Sequence, residues 1–193
     1  MFCKLFRLLL ALWFLFSPGI LLAQEVITPQ KKQRIFQKIS DLQIINYAKE
    51  MEFFDPYFVL AIVKGESSGD PTAVLEAHNG TSVGLMQLLP STARMLGFKG
   101  NQHDLFKWEI NLFYGITYLE NLMEVYGQHL PSLAAAYNAG KVFICKNGKV
   151  KTTGEKCKKG QYTNQKYVDK VMKEYLKIKM EYEYLPTVLG SVS

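Results

Sequence analysis

The stretch Tyr57-Phe58-Val59-Leu60-Ala61-Ile62-Val63 is apolar on nearly every side, preceded by Asp55-Pro56 and followed by Gly65-Glu66-Ser67-Ser68-Gly69-Asp70-Pro71. An aspartate at the cap and a proline at the first helical position start a helix. A helix without a polar face has to be surrounded by other elements. The spacing predicts a central buried helix from Pro56 to about Glu66, with other helices packed around it. It also places a carboxylate, Glu66, where this apolar helix runs out into a loop rich in Ser, Gly, Asp and Pro.

The rest of the chain supplies the surrounding layer and predicts a mainly α domain. Leu42, Ile45, Tyr47, Ala48 and Met51 form one helical stripe. Leu89-Pro90-Ser91-Thr92 opens a short helix that ends near Gly97, and Pro131 opens another through Ala139. The longest periodic segment is Trp108 to Tyr126, with Ile110, Phe113, Tyr114, Thr117, Tyr118, Asn121, Leu122 and Val125 on one face. Gly65 to Gly84 reads as an irregular loop rather than a strand pair. Val142 to Val150 reads as a hairpin turning at Asn147-Gly148, a preferred type I′ pair. A last helix runs from Tyr167 to Met180. At 193 residues and 48% hydrophobic content, one domain over 41–180 is expected and a second full-sized one is excluded. Residues 24–40 read as a tether and 181–193 as a tail.

Residues 1–23 carry Lys4 and Arg7, an apolar run from Leu8 to Phe16, then Ser17-Pro18-Gly19 and Ile20-Leu21-Leu22-Ala23. That is the layout of a secretory signal peptide cut after Ala23. An uncleaved membrane anchor is the alternative, because Leu21 is bulky for its position before the cut. Arg7 and Pro18-Gly19 shorten the apolar run to below the roughly 20 residues a span needs. Export leaves Cys145 and Cys157 in an oxidising compartment, which predicts a disulfide between them rather than two free thiols. The protein would then work in the periplasm or cell envelope. Residues 141–170 hold nine Lys against Glu155 and Asp169, while the rest of the exported chain nets −3. This basic segment either holds an anionic wall polymer or is an ordinary solvated loop. Export and the lack of a recognition motif argue against nucleic acid.

Glu66 is the first candidate for chemistry. A carboxyl held against apolar surface keeps its proton, as a general acid must. Read with it, Ser82-Val83-Gly84-Leu85-Met86-Gln87-Leu88-Leu89-Pro90-Ser91-Thr92-Ala93, Asn111-Leu112-Phe113-Tyr114-Gly115-Ile116-Thr117-Tyr118-Leu119 and Ala135-Ala136-Tyr137-Asn138-Ala139-Gly140 resemble, in order, the motifs of the lytic transglycosylases, lysozyme-like enzymes that cut bacterial peptidoglycan. The resemblance covers roughly Leu42 to Tyr175. It implies a lysozyme-like helical fold with Glu66 as the catalytic acid and Ser67 as its hydroxyl neighbour. It further implies Gly84, Leu85, Met86 and Gln87 as a cleft wall, with the Gln87 amide toward the sugar. Tyr137 and Asn138 match the family's Tyr-Asn pair, Tyr137 orienting Glu66 or touching the sugar, and Tyr167 matches a later Tyr-Val block.

The resemblance also implies a mechanism needing one carboxyl, without metal or cofactor. Glu66 protonates the leaving oxygen and then deprotonates the substrate's own 6-hydroxyl, leaving a 1,6-anhydromuramic end. Most glycosidases instead use two carboxylates. Asp70, Glu76 and Asp104 are the candidates for a second, and a functional one would point to a hydrolytic muramidase of the goose-lysozyme kind. A non-catalytic wall-binding or assembly module is the third reading. His78, His103 and His129 stand without partners at ligand spacing, so no metal site is expected. Where many members carry Pro-Gly after the Tyr-Asn-Ala-Gly block, this chain has Lys141-Val142. Its size is similar to that of members acting as monomers on glycan strands in secretion, conjugation or pilus machines.

Overall fold

The computed structural model describes residues 39–77, 80–146 and 158–186, which all belong to one compact unit, Ile35–Ser193. The leader, most of the 24–40 tether, the end of the 181–193 tail, His78, Asn147-Gly148 and Cys157 lie outside the described residues. Ser40 opens α1 (Asp41–Glu50) through a capping box in which its hydroxyl accepts from Gln43 N and Gln43 Oε1 accepts from Ser40 N. Ile44, Ile45 and Ala48 form the buried face of α1. Leu42 is 56% exposed, which corrects its place in the expected stripe. At 100° per residue it lies about 120° round the helix from the centre of that face.

Helix α2 (Pro56–Ser67) starts as its cap dictates, Asp55 Oδ1 accepting from Tyr57 N and Phe58 N. Every side chain from Phe58 to Val63 is fully buried, so the core is built round this helix. Lys64 pairs with Asp41 of α1 at 2.6 Å. The helix ends at Ser68, in the left-handed region at φ 58°.

The segment after α2 departs from expectation, because β1 (Val74–Ala77) and β2 (Gly80–Val83) form an antiparallel pair in register Val74↔Val83 to Ala77↔Gly80. Burial could not announce this pair, since Val74 and Leu75 are exposed and show no alternation. The overlooked signal was Asn79-Gly80, the same dipeptide weighed at 147–148. Helix α3 (Pro90–Met95) follows, then a 3₁₀ turn (Gln102–Phe106) capped by Asn101.

Helix α4 (Trp108–Tyr126) buries Asn111, Leu112, Gly115, Ile116, Leu119 and Leu122. Apart from Leu122, this face is turned by about 140° from the expected one. The helix is apolar around most of its girth, so periodicity alone does not select a face. Its buried side also includes Asn111 and Gly115, which a count of apolar residues passes over. Helix α5 (Leu130–Ala139) buries Leu133 to Tyr137. Helix α6 (Gln165–Lys179), extended by a π turn (Met180–Tyr184), packs antiparallel along α2.

Beyond α5, the described residues around Cys145 pair with the segment before α6, and the expected turn at Asn147-Gly148 lies outside the described residues. Cys145 N donates to Gln161 O at 2.7 Å, and Thr163 N donates to Phe143 O at 2.9 Å. Among the described residues no helix is long and apolar enough to cross a membrane.

Candidate active site

Glu66 sits on the last turn of α2, and α6 supplies most of what surrounds it. Gly65 allows this approach, since a Cβ there would stand 2.9 Å from Val171 Cγ2. With the helices this close, Tyr167 Oη donates to Glu66 Oε1 at 2.5 Å. One turn further along α6, Lys170 Nζ donates to Gly65 O at 2.6 Å. At the other end of α2, Tyr175 Oη donates to the capping residue, Asp55 Oδ2, at 2.6 Å. One antiparallel helix thereby ties both ends of the helix that carries the carboxyl.

Burial pushes the pKa of Glu66 up from the ordinary carboxylate range, against the opposing pull of the Tyr167 hydrogen bond and the Lys170 charge. Tyr167 and Tyr137 are held well above the usual phenol range, first by burial and then by the charge of Glu66. Both hydroxyls therefore stay protonated as hydrogen-bond donors. Tyr137 donates to Met86 O at 2.9 Å and not to Glu66, so the phenol that holds the carboxyl is Tyr167.

The Gly84-Leu85-Met86-Gln87 segment is a tight loop closed by mutual backbone bonds between Val83 and Leu88, both 3.0 Å. Gly84 is at φ +80° and Gln87 at φ 48°. A Cβ on Gly84 would meet Asn111 Nδ2 at 2.3 Å and Leu105 O at 2.8 Å, so position 84 requires glycine. From α4, Asn111 Oδ1 accepts from Met86 N at 2.7 Å, while its Nδ2 donates to Val83 O and Leu105 O. From α5, Tyr137 takes the carbonyl of the same Met86. Two helices thus grip one residue of the loop, one on each of its flanking peptides.

Three expectations for this loop are corrected. The side chains of Leu85 and Met86 are fully buried in the core and offer no cleft surface. The Gln87 amide does not reach outward, because Nε2 donates to Ala73 O and Gly84 O and Oε1 accepts from Ser82 Oγ. Ser67 turns back into its own helix, donating to Val63 O and accepting from Gly69 N. Asn138 is exposed beside α6, its Oδ1 accepting from Asn164 Nδ2 at 3.0 Å.

The three candidate second carboxylates have other partners or open solvent. Asp70 Oδ1 accepts from Thr72 N and Thr72 Oγ1, both at 2.8 Å, and Glu76 is exposed on β1. Burial raises the pKa of Asp104, but bonds from Lys107 and the Asn101 backbone outweigh it and hold the group below the ordinary range. A charged cavity of about 410 Å³, lined by Lys64, Lys170 and Glu174 among others, lies beside Lys170, and Glu66 is not in its wall. Lys170 was legible in the sequence only as one lysine of the basic segment, since nothing local marks which lysine reaches α2. Asn111 was visible within its motif but without a task.

Residues 43–159, more than half of the chain, match the family described as the transglycosylase SLT domain. A Haemophilus influenzae protein named as a candidate soluble lytic murein transglycosylase is 42% identical over 89 residues, which make up 43% of this chain and 14% of that protein. The lytic transglycosylase Slt of Pseudomonas aeruginosa, solved as an inactive mutant, is 21% identical with a TM-score of 0.54, the match covering 76% of this chain and 25% of the other. That likeness shows the fold. The 70 kDa soluble lytic transglycosylase of Escherichia coli is 27% identical over 51% of this chain and 16% of its own, with a TM-score of 0.43. The chain thus spans a minor part of the length of each of these relatives. Mainly helical, with its ordered motifs folded round one half-buried carboxyl, it belongs to the transglycosylase SLT domain family.

Proposed function

We propose that this chain is a peptidoglycan lytic transglycosylase that cleaves the β-1,4 bond between N-acetylmuramic acid and N-acetylglucosamine, with Glu66 as its single catalytic carboxyl. The observation that carries this reading is Glu66 itself, whose pKa burial raises while Tyr167 fixes the carboxyl's direction. The protonated carboxyl gives its proton to the glycosidic oxygen, and the bond from C1 breaks as that oxygen leaves as a hydroxyl. The acetamido group of the same sugar stabilises the cationic centre. The muramyl 6-hydroxyl then attacks C1 and returns its proton to the Glu66 carboxylate. No water is consumed, and the two products together have the composition of the substrate. Tyr137 and Asn111 support the site by fixing the loop at Met86, while the exposed Asn138 borders the glycan path.

In this reading the first 23 residues direct export to the periplasm, and Cys145 pairs with Cys157 to close the basic segment. The enzyme opens local gaps in the wall for a secretion, conjugation or pilus machine. Mass spectrometry of fragments released from purified peptidoglycan tests the chemistry. Anhydro ends, one water lighter than reducing ends, are expected with the wild type and none with a folded Glu66→Gln variant. Reducing ends would transfer the chain to the hydrolases, and cleavage by Glu66→Gln would remove Glu66 from the mechanism. Cross-linking in cells should recover a machine component, and its absence would leave a housekeeping enzyme.

A further inference from the structure

We infer that Lys170 is a positioning residue for the reaction proposed above, anchoring the last turn of α2 and setting a positive charge beside Glu66 between its two proton transfers. The inference rests on the reading of Glu66 as acid and then base. Its geometric ground is the bond from Lys170 Nζ to Gly65 O at 2.6 Å, made to the residue immediately before Glu66. The last carbonyls of a helix have no donor within the helix, and a lysine there satisfies one and favours the negative end of the helix dipole. Here the lysine comes from a different helix, so the bond also fixes the turn of α2 relative to α6.

The position is specific to this packing. Gly65 has no side chain to hold the helices apart, and Tyr167 and Lys170, three residues apart on α6, fall on the same side of that helix. Tyr167 takes the carboxyl and Lys170 takes the main chain beneath it. The groups whose charge or hydrogen bonding acts on Glu66 are Tyr167 and Lys170 from α6 and Tyr137 from α5. On α2 itself, Lys64 is paired with Asp41 of α1. Beyond Lys170, the charged cavity also presents Glu174, Lys177 and Glu181, with Lys177 bonded to Glu174 at 3.4 Å. Among the groups acting on Glu66, Lys170 is the cation.

A carboxyl that gives up a proton and then takes one back exists briefly as an anion in a poorly solvated site. A neighbouring ammonium stabilises that anion, while Tyr167 keeps it aimed. Removing the charge lets Glu66 hold its proton to higher pH. The alkaline limb of kcat/KM on peptidoglycan, which reports loss of the acid form in the free enzyme, then moves upward.

The test measures kcat/KM against pH for the wild type, Lys170→Gln and Lys170→Arg, with folding checked by thermal melting. The expected result is an upward displacement of the alkaline limb in Lys170→Gln and a wild-type limb in Lys170→Arg. An unmoved limb in Lys170→Gln, or an equal displacement in both variants, overturns the inference. Should Lys170→Gln fail to fold, salt replaces it, because screening of this exposed lysine has to displace the wild-type limb upward. An unmoved limb at high salt then counts against the charge. If Glu66→Gln is inert and the Lys170→Gln limb is unmoved, only the Lys170 inference falls. If Glu66→Gln still cleaves, the mechanism beneath it falls first.

Discussion

At the residue scale, Glu66 shows why an acid suited to catalysis costs stability. Burial raises its pKa, so the folded chain holds the proton to higher pH than the unfolded chain. The stabilising effect of the bound proton is complete below the unfolded carboxyl range, near pH 4, and is lost as pH rises through the raised folded value. Glu66→Gln removes the ionisation and keeps a hydrogen-bond acceptor for Tyr167. The melting temperatures of wild type and Glu66→Gln should therefore draw apart between about pH 4 and neutrality, with the variant the more stable. In a domain of this size each 1 kcal/mol corresponds to about 2–4 °C. Parallel melting curves across that range would show that ionised Glu66 is well solvated.

At the scale of elements, the Gly84–Gln87 loop is held in place from outside. Its Met86 backbone is gripped by Asn111 from α4 and by Tyr137 from α5. Asn111→Ala leaves Met86 N and Leu105 O without their Asn111 partner, while Val83 O keeps its bond from Leu88 N, and each unsatisfied group costs about 1–3 kcal/mol. A loss of about 3 kcal/mol or more in urea unfolding is expected, together with lower lytic activity. Asn121→Ala, on the exposed side of the same helix, should stay within about 0.5 kcal/mol of wild type. Equal effects at both positions would show that the loop does not depend on Asn111. This is also the scale at which sequence reasoning most often failed. Hydrophobic counting turned α4 by about 140° because the residues that matter most on its inner face, Asn111 and Gly115, are not apolar.

At the scale of the molecule, charge is segregated. Residues 141–170 carry nine Lys against two acids, while the rest of residues 24–193 is net negative. If this segment holds an anionic wall polymer, the fraction of protein sedimenting with insoluble peptidoglycan should fall as salt rises from roughly 0.01 to 1 M, where the Debye length shrinks from about 30 to 3 Å. Replacing Lys149, Lys151, Lys156 and Lys158 together with Gln should flatten that dependence. A salt-independent wild type would make the segment an ordinary solvated loop.

The amino-acid sequence alone determined the mainly helical class, the central helix from Asp55-Pro56 onward and the candidate carboxyl at its end. These depend on local chemistry: a cap, a proline, an apolar run and a polar break. Tertiary structure decided which groups meet that carboxyl. Tyr137 and Tyr167 are both tyrosines within family-like motifs, yet packing directs one to Met86 O and the other to Glu66. Lys170 lies 105 residues from Gly65 and looks like every other lysine of its segment. Only the close, antiparallel approach of α6 at a residue without a side chain sets its ammonium beneath the carboxyl, because hydrogen bonds and desolvation depend on distances that sequence spacing does not contain.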